Sequence, residues 1–286
     1  SQLTSNGVSA TAIYYYDICT MKRVAELFGK TEDAARYDAL AAQVKQAFND
    51  KYFDKNTKKY DRNSQAANAM ALYMGLVEPE NKPVVLQNLI DDIRGRGNAV
   101  TAGDIGYRYV VQTLQDRGAS DVLFDMNSRY DVPGYGYQIA MGETALAESW
   151  QSRDYLSHNH CMLGHLYSWL FSGIGGISQE SGSTAYKRIV IDPQIVGDLR
   201  DARVSFRSPY GLIRSEWKDA PDEFVQTIEI PANATARICL PATDPAKVTE
   251  SGKPVSGRKD MAVESGTDGR IELHVGSGVY RIAVEK

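Results

Sequence analysis

The chain has 286 residues, 43% hydrophobic and 24% charged, with a formal net charge of -4. That length suits two domains better than one core, and the slightly acidic balance provides no basic field for a nucleic-acid backbone. No apolar run approaches the roughly 20 residues that span a bilayer, and the opening Ser-Gln-Leu-Thr-Ser-Asn-Gly shows no signal-peptide pattern. Neither nucleic acid nor membrane is expected as a partner.

The first 178 residues read as helices. Tyr14, Ile18, Met21, Ala25 and Phe28 form one helical stripe, stopped by Gly29. Thr31 is expected to cap a second helix with the stripe Tyr37, Leu40, Ala41, Val44 and Phe48. A third helix follows Asn63 with Ala66, Ala69, Met70 and Tyr73, and a fourth carries Leu86, Leu89, Ile90 and Ile93. Further helices are expected at 104–117, 120–128, 137–150 and 159–175, about eight in all, with no strand pattern between them.

After the loop 178–184 the period changes to two. Strands are expected at 187–191, 202–206, 212–217, 224–230, 235–240, 271–275 and 279–284, separated by turns such as Ser-Pro-Tyr-Gly at 208–211. Short strands at hairpin spacing predict an antiparallel β-sandwich. The expected layout is a helical domain over 1–178 and a sandwich over 179–286.

Cys19, Cys161 and Cys239 are too few and too scattered for a disulfide framework or a Cys-x-x-Cys zinc site. Three buried free thiols are expected, and cysteine usage leaves the compartment open.

Three of the four histidines fall within residues 134–165, beside Glu143, Glu148 and many aromatics. Glu148, expected at a helix end, is placed to activate water as a general base; a solvated surface glutamate is the plain alternative. Glu143 lies five residues earlier, roughly 140° around a straight helix, so the two are not expected to share one pocket. His158 and His160 flank Asn159, and no Cys or Asp completes a metal set around them. Either they donate to a ligand hydroxyl or they pack the next helix. His165, among Met162, Leu166 and Trp169, reads as core.

Tyr135, Tyr137 and Trp150 offer aromatic faces on which a pyranose stacks, and Tyr135 stands out because glycines on both sides hold it in a loop. Asp104 begins a helix, either as its N-cap or as a carboxylate presented to a pocket. Phosphate-loop, nucleophile-elbow and dinucleotide signatures are missing from the sequence, so no cofactor is expected.

Taken together these segments resemble the bacterial α-L-rhamnosidases of glycoside hydrolase family 78. The likeness runs through Ala-Thr-Ala-Ile-Tyr-Tyr-Tyr-Asp at 10–17, Asn-Ser-Gln-Ala-Ala-Asn-Ala-Met-Ala-Leu-Tyr at 63–73 and Thr-Ala-Gly-Asp-Ile-Gly-Tyr at 101–107. It continues through the window at 134–165 with its Ser-His-Asn-His, and through Tyr-Lys-Arg-Ile at 186–189, 208–211 and Ile-Pro-Ala-Asn-Ala-Thr-Ala at 230–236. The resemblance implies an (α/α)6 barrel and an inverting hydrolase of terminal α-L-rhamnosides. One carboxylic acid protonates the leaving oxygen and a second carboxylate, about 6.5–9.5 Å away, activates water. Through the family pattern Gly-x-Thr-x-x-x-Glu, the base falls on Glu148, with Gly142 and Thr144 as its markers; the sugar-binding histidine falls on His160 and the loop aromatic on Tyr135. Trp150 and Asp104 complete the expected binding set.

Two departures bear on how the ring is held: Tyr135 and Ala147 stand where tryptophan is common. The acidic Asp-x-x-x-Glu-Arg loop that supplies the family's general acid is not found, and eight helices replace twelve. The expectation is therefore the C-terminal part of a larger enzyme, inactive or weak alone, with an open arc whose apolar edges favour self-association. Two alternatives are a non-catalytic carbohydrate-binding fragment and another helical-toroid carbohydrate enzyme. A lyase also needs cationic groups beside a uronate, and only Arg153 is near.

Overall fold

The computed structural model describes residues 3–286, which form two compact units, one running to Leu166 and the other Tyr167–Lys286. In the first, α1 (Asn6–Leu27), α2 (Thr31–Tyr52), α3 (Gln65–Tyr73), α4 (Lys82–Gly95), α5 (Asp104–Asp116) and α6 (Ser120–Asn127) pack as three hairpins. Helix α3 also contacts α1 and α5, so α1, α3 and α5 make one layer and their partners back it.

Helix α3 sets that layer. All residues from Gln65 to Leu72 are buried, and its alanines let neighbouring backbones come close. A Cβ added to Gly106 of α5 would lie 2.5 Å from the Cβ of Ala66, so that crossing needs glycine. The Ser64 hydroxyl caps α3 by accepting from Ala67 N–H at 3.2 Å. Met70, Leu72, Leu76, Leu89, Ile93, Leu114 and Leu123 are almost wholly removed from water. Each such burial stabilises by about 1.5–3 kcal/mol before entropy is counted.

Several expectations are corrected here. Helix α1 buries Val8, Ala12, Ile18 and Ala25, whereas Tyr14, Met21 and Phe28 of the expected stripe are exposed, Phe28 at 73%. Ile18 and Ala25 of that stripe are buried, and Tyr14 and Met21 lie at its exposed edge, with Phe28 just past the helix end. Thr31 is the first residue of α2, after Lys30, and its side chain makes no cap bond. A two-strand hairpin, β1 (Phe53–Asp54) with β2 (Lys59–Tyr60), interrupts the helices. Residues 137–150 are not one helix: α7 covers only Tyr135–Ala140. The stretch at 159–175 divides into a 3-10 turn (Cys161–Leu163), α8 (Leu166–Trp169) and a π turn (Leu170–Ile174).

The second unit is a β-sandwich. One sheet contains β5 (Asp201–Ser208), β6 (Gly211–Asp219), β7 (Glu223–Ile230), β9 (Val248–Glu250), β10 (Lys253–Pro254) and β13 (Gly278–Glu285), in the order β10-β9-β13-β7-β6-β5. The other contains β3 (Ile177–Gln179), β4 (Arg188–Ile191), β8 (Thr235–Leu240), β11 (Ala262–Ser265) and β12 (Ile271–Val275), in the order β11-β12-β8-β4-β3. All pairs are antiparallel except β4 with β8, where Ile189 faces Ala236 and Ile191 faces Ile238 in parallel. Alternation carries the core: Phe224, Gln226, Ile228 and Ile230 of β7 point inward, with Ile271, Leu273 and Val275 of β12. None of the cysteines is in a disulfide; Cys239 is buried, but Cys161 is exposed and Cys19 half-buried, which corrects the expected three buried thiols.

Candidate active site

Gly142 decides the local chain path. Its φ of +86° is the left-handed conformation that ends a helix, and Glu143 N–H bonds back to Gln138 C=O at 3.0 Å. Helix α7 therefore stops at Ala140, and Glu143 and Glu148 lie in the loop beyond it rather than on a helix. The separation of 140° expected for a straight helix does not apply.

Gln138 then grips that loop. This buried side chain donates to Ser149 C=O at 3.1 Å and accepts from Ala147 N–H at 3.3 Å, one bond on each side of Glu148. Glu148 itself is exposed. Its N–H donates to Ser157 C=O at 2.8 Å, and its Oε2 accepts from Ser157 N–H at 3.1 Å. Two residues earlier, Leu146 C=O accepts from His160 N–H at 2.7 Å. The half-buried His160 is thus held on the limb that faces the carboxylate's own limb.

Trp150 joins this loop to the rest of the unit. Its indole N–H donates to Ala102 C=O at 2.7 Å, and its ring packs edge-on against Tyr107 at 4.8 Å and Tyr135 at 5.1 Å. At 4% exposure it has no open face for a sugar to stack on, which corrects its expected stacking role. Tyr135 is the first residue of α7 rather than part of a loop, and its hydroxyl donates to Leu163 C=O. Burial pushes its phenol up to about 12, so it stays a neutral donor.

Asp104 is exposed at the first position of α5, where Gly103 is the capping residue. It lines a cavity with Thr4, just before α1, Asn6 and Ser9 of α1, Ala66 of α3 and Gly106. Gln65 holds the segment before Asp104 as Gln138 holds Glu148, donating to Ala99 C=O at 3.0 Å and accepting from Thr101 N–H at 3.0 Å. Neither glutamine stood out in the sequence. The available signal was an amide side chain at a buried position of an apolar helix, where its hydrogen bonds must be satisfied.

Glu143 and His158 form a pair: the ring Nδ1 lies 2.8 and 2.9 Å from the two carboxylate oxygens. Glu143 raises the His158 pKa above the ordinary value through that hydrogen bond and its charge, with Asp154 adding to it. The ionic part of this contact is therefore complete below about pH 6.5 and is lost as pH rises through the raised value. A proton NMR titration of the His158 ring should have a midpoint above that of free histidine, and Glu143→Gln should return it to the normal range. An unshifted wild-type midpoint would contradict the pairing. His165 is half-buried rather than core; burial and Arg108 lower its pKa. Among the described residues no cluster of three His, Cys, Asp or Glu side chains is arranged to hold a metal ion, and no helix is long and apolar enough to cross a membrane.

The first turns of α1 and α5 border the cavity that Asp104 lines, while Glu148 and His160 lie on the two limbs of the loop after α7. The profile of the bacterial α-L-rhamnosidase six-hairpin glycosidase domain matches residues 1–174, and that of the bacterial α-L-rhamnosidase C-terminal domain matches residues 176–254. The chain belongs to the bacterial α-L-rhamnosidase family. An α-L-rhamnosidase of Streptomyces avermitilis is 29% identical over 294 residues, covering 99% of this chain and 27% of its own length. One from Formosa agariphila is 25% identical, covering 97% of this chain and 31% of its own. The Streptomyces avermitilis enzyme complexed with L-rhamnose superposes with a TM-score of 0.88 at 28% identity, over 98% of this chain and 27% of that one. The α-L-rhamnosidase from Dictyoglumus thermophilum gives 0.86 at 29%, over 96% and 32%. The chain thus spans about 27–32% of the length of these relatives.

Proposed function

We propose that this chain carries the water-activating side of an inverting α-L-rhamnosidase site, with Glu148 as general base. The observation that carries this reading is the exposed Glu148 carboxylate, held from both flanks by Gln138 and directed by Ser157 N–H, in a chain of this family. His160 and Tyr135 are the groups proposed to hold the sugar, Asp104 a further contact at the neighbouring helix starts, and Trp150 the wall behind them. The general acid is proposed to come from outside the residues of this chain. The catalytic part is read as 1–178 and the sandwich as 179–286, a division that falls within β3 (Ile177–Gln179) of the sandwich. The apolar edge of Tyr14, Met21 and Phe28 is of the kind that further helices of a six-hairpin array, or a second copy, would cover.

A test uses the 286-residue chain by itself. Titration calorimetry with L-rhamnose should show saturable binding, while hydrolysis of p-nitrophenyl α-L-rhamnoside should stay at background. Turnover comparable to that of a longer rhamnosidase would overturn the half-site reading. Failure to bind L-rhamnose would remove His160 and Tyr135 as a preformed sugar site.

A further inference from the structure

The pairing between the limbs of the Glu148 loop is uneven. Between the bonds Glu148 N–H to Ser157 C=O and His160 N–H to Leu146 C=O, the first limb has one residue, Ala147, and the second has two, His158 and Asn159. The extra residue gives the second limb slack between the two bonds, a small bulge in a loop that forms no strand. Two side-chain contacts secure this one. Ser157 Oγ accepts from Asn159 N–H at 3.3 Å, and His158 is held by both oxygens of Glu143. Glu143 is a firm anchor, since its side chain is 11% exposed and it directly follows Gly142 in its fixed left-handed conformation. The N–H next to His158, that of Ser157, is the donor that meets Glu148 Oε2.

We propose that Glu143 and His158 are positioning residues, a clasp that fixes the bulge so that Ser157 N–H orients the Glu148 carboxylate. This rests on the reading of Glu148 as general base. Partly exposed ion pairs contribute little to global stability, whereas a small displacement of a reacting group costs much rate. The clasp therefore acts on turnover far more than on folding.

The test is made in a full-length enzyme that includes this chain, with p-nitrophenyl α-L-rhamnoside. Glu143→Ala and His158→Ala should each lower kcat about ten- to hundredfold, with KM changing less than about threefold and the melting temperature nearly unchanged. Glu143→Gln, which keeps an acceptor for the imidazole N–H, should recover most of the loss. The double alanine variant should be no slower than the worse single one, because both remove the same contact. Unchanged kcat in the alanine variants, equal losses for alanine and glutamine, or losses that multiply in the double variant would each overturn the proposal. Hydrogen exchange over residues 146–160 provides a readout independent of turnover: the alanine variants should exchange faster there, and unchanged exchange removes the clasp. If Glu148→Gln leaves turnover intact, the general-base reading falls, and the exchange result still decides whether the clasp exists.

Discussion

Glu148→Gln, introduced into a full-length enzyme that includes this chain, should lower turnover of an aryl α-L-rhamnoside by about 10²–10⁴-fold. The amide keeps the shape of the side chain and an oxygen to accept from Ser157 N–H, so the loop bonds around residues 147, 149 and 157 should survive. What is lost is the ability to take a proton from water. Because the change removes chemistry and spares binding, kcat should fall with KM nearly constant. A variant with near-normal kcat would end the assignment of Glu148 as base. In that event a carbohydrate-binding role for this part of the chain becomes the better reading.

Trp150→Ala should destabilise the helical unit by about 3–5 kcal/mol, the usual cost of removing a large aromatic from a packed site. Tyr107 and Tyr135 lose their shared edge partner, and Ala102 C=O loses the indole donor. Trp150→Phe separates the two effects: it keeps most of the packing and leaves the carbonyl without its donor, at about 1–3 kcal/mol. Urea unfolding followed by circular dichroism measures both. If the alanine variant unfolds within 1 kcal/mol of wild type, which is well below the cavity cost, Trp150 is not the pin described.

Where periodicity was strong, the sequence foretold the fold well. In the α2 stripe Ala41 and Phe48 are buried and Tyr37, Leu40 and Val44 half-buried, and β8 and β12 occupy the expected 235–240 and 271–275. Strands β9, β10 and β11 escaped because they are two to four residues long, and β11 is an edge strand with almost no buried position. Helix α1 misled for another reason. Its apolar stripe is wider than the face that α2 and α3 cover, and the sequence does not say where the covered part ends.

The residues of the proposed site could be picked out by type, but their geometry could not. Glu148, His160, Tyr135 and Asp104 were visible as chemistry-bearing groups, but a helix drawn through Gly142 put the glutamates on the wrong element. The glycine was in plain view; its left-handed turn was not, because the apolar period continues past it at Leu146 and Trp150. The pairing of Glu143 with His158, fifteen residues apart, depends on a loop fold-back that no local pattern announces.

Gln65 and Gln138 hold their loops entirely by main-chain amides. Such a grip is indifferent to the letters written at Thr101 or Ser149. Side chains at these two positions can therefore change while the course of the chain past Asp104 and Glu148 stays the same. A library that randomises Ser149 and Thr101 but spares both glutamines should accordingly keep the fold of both loops.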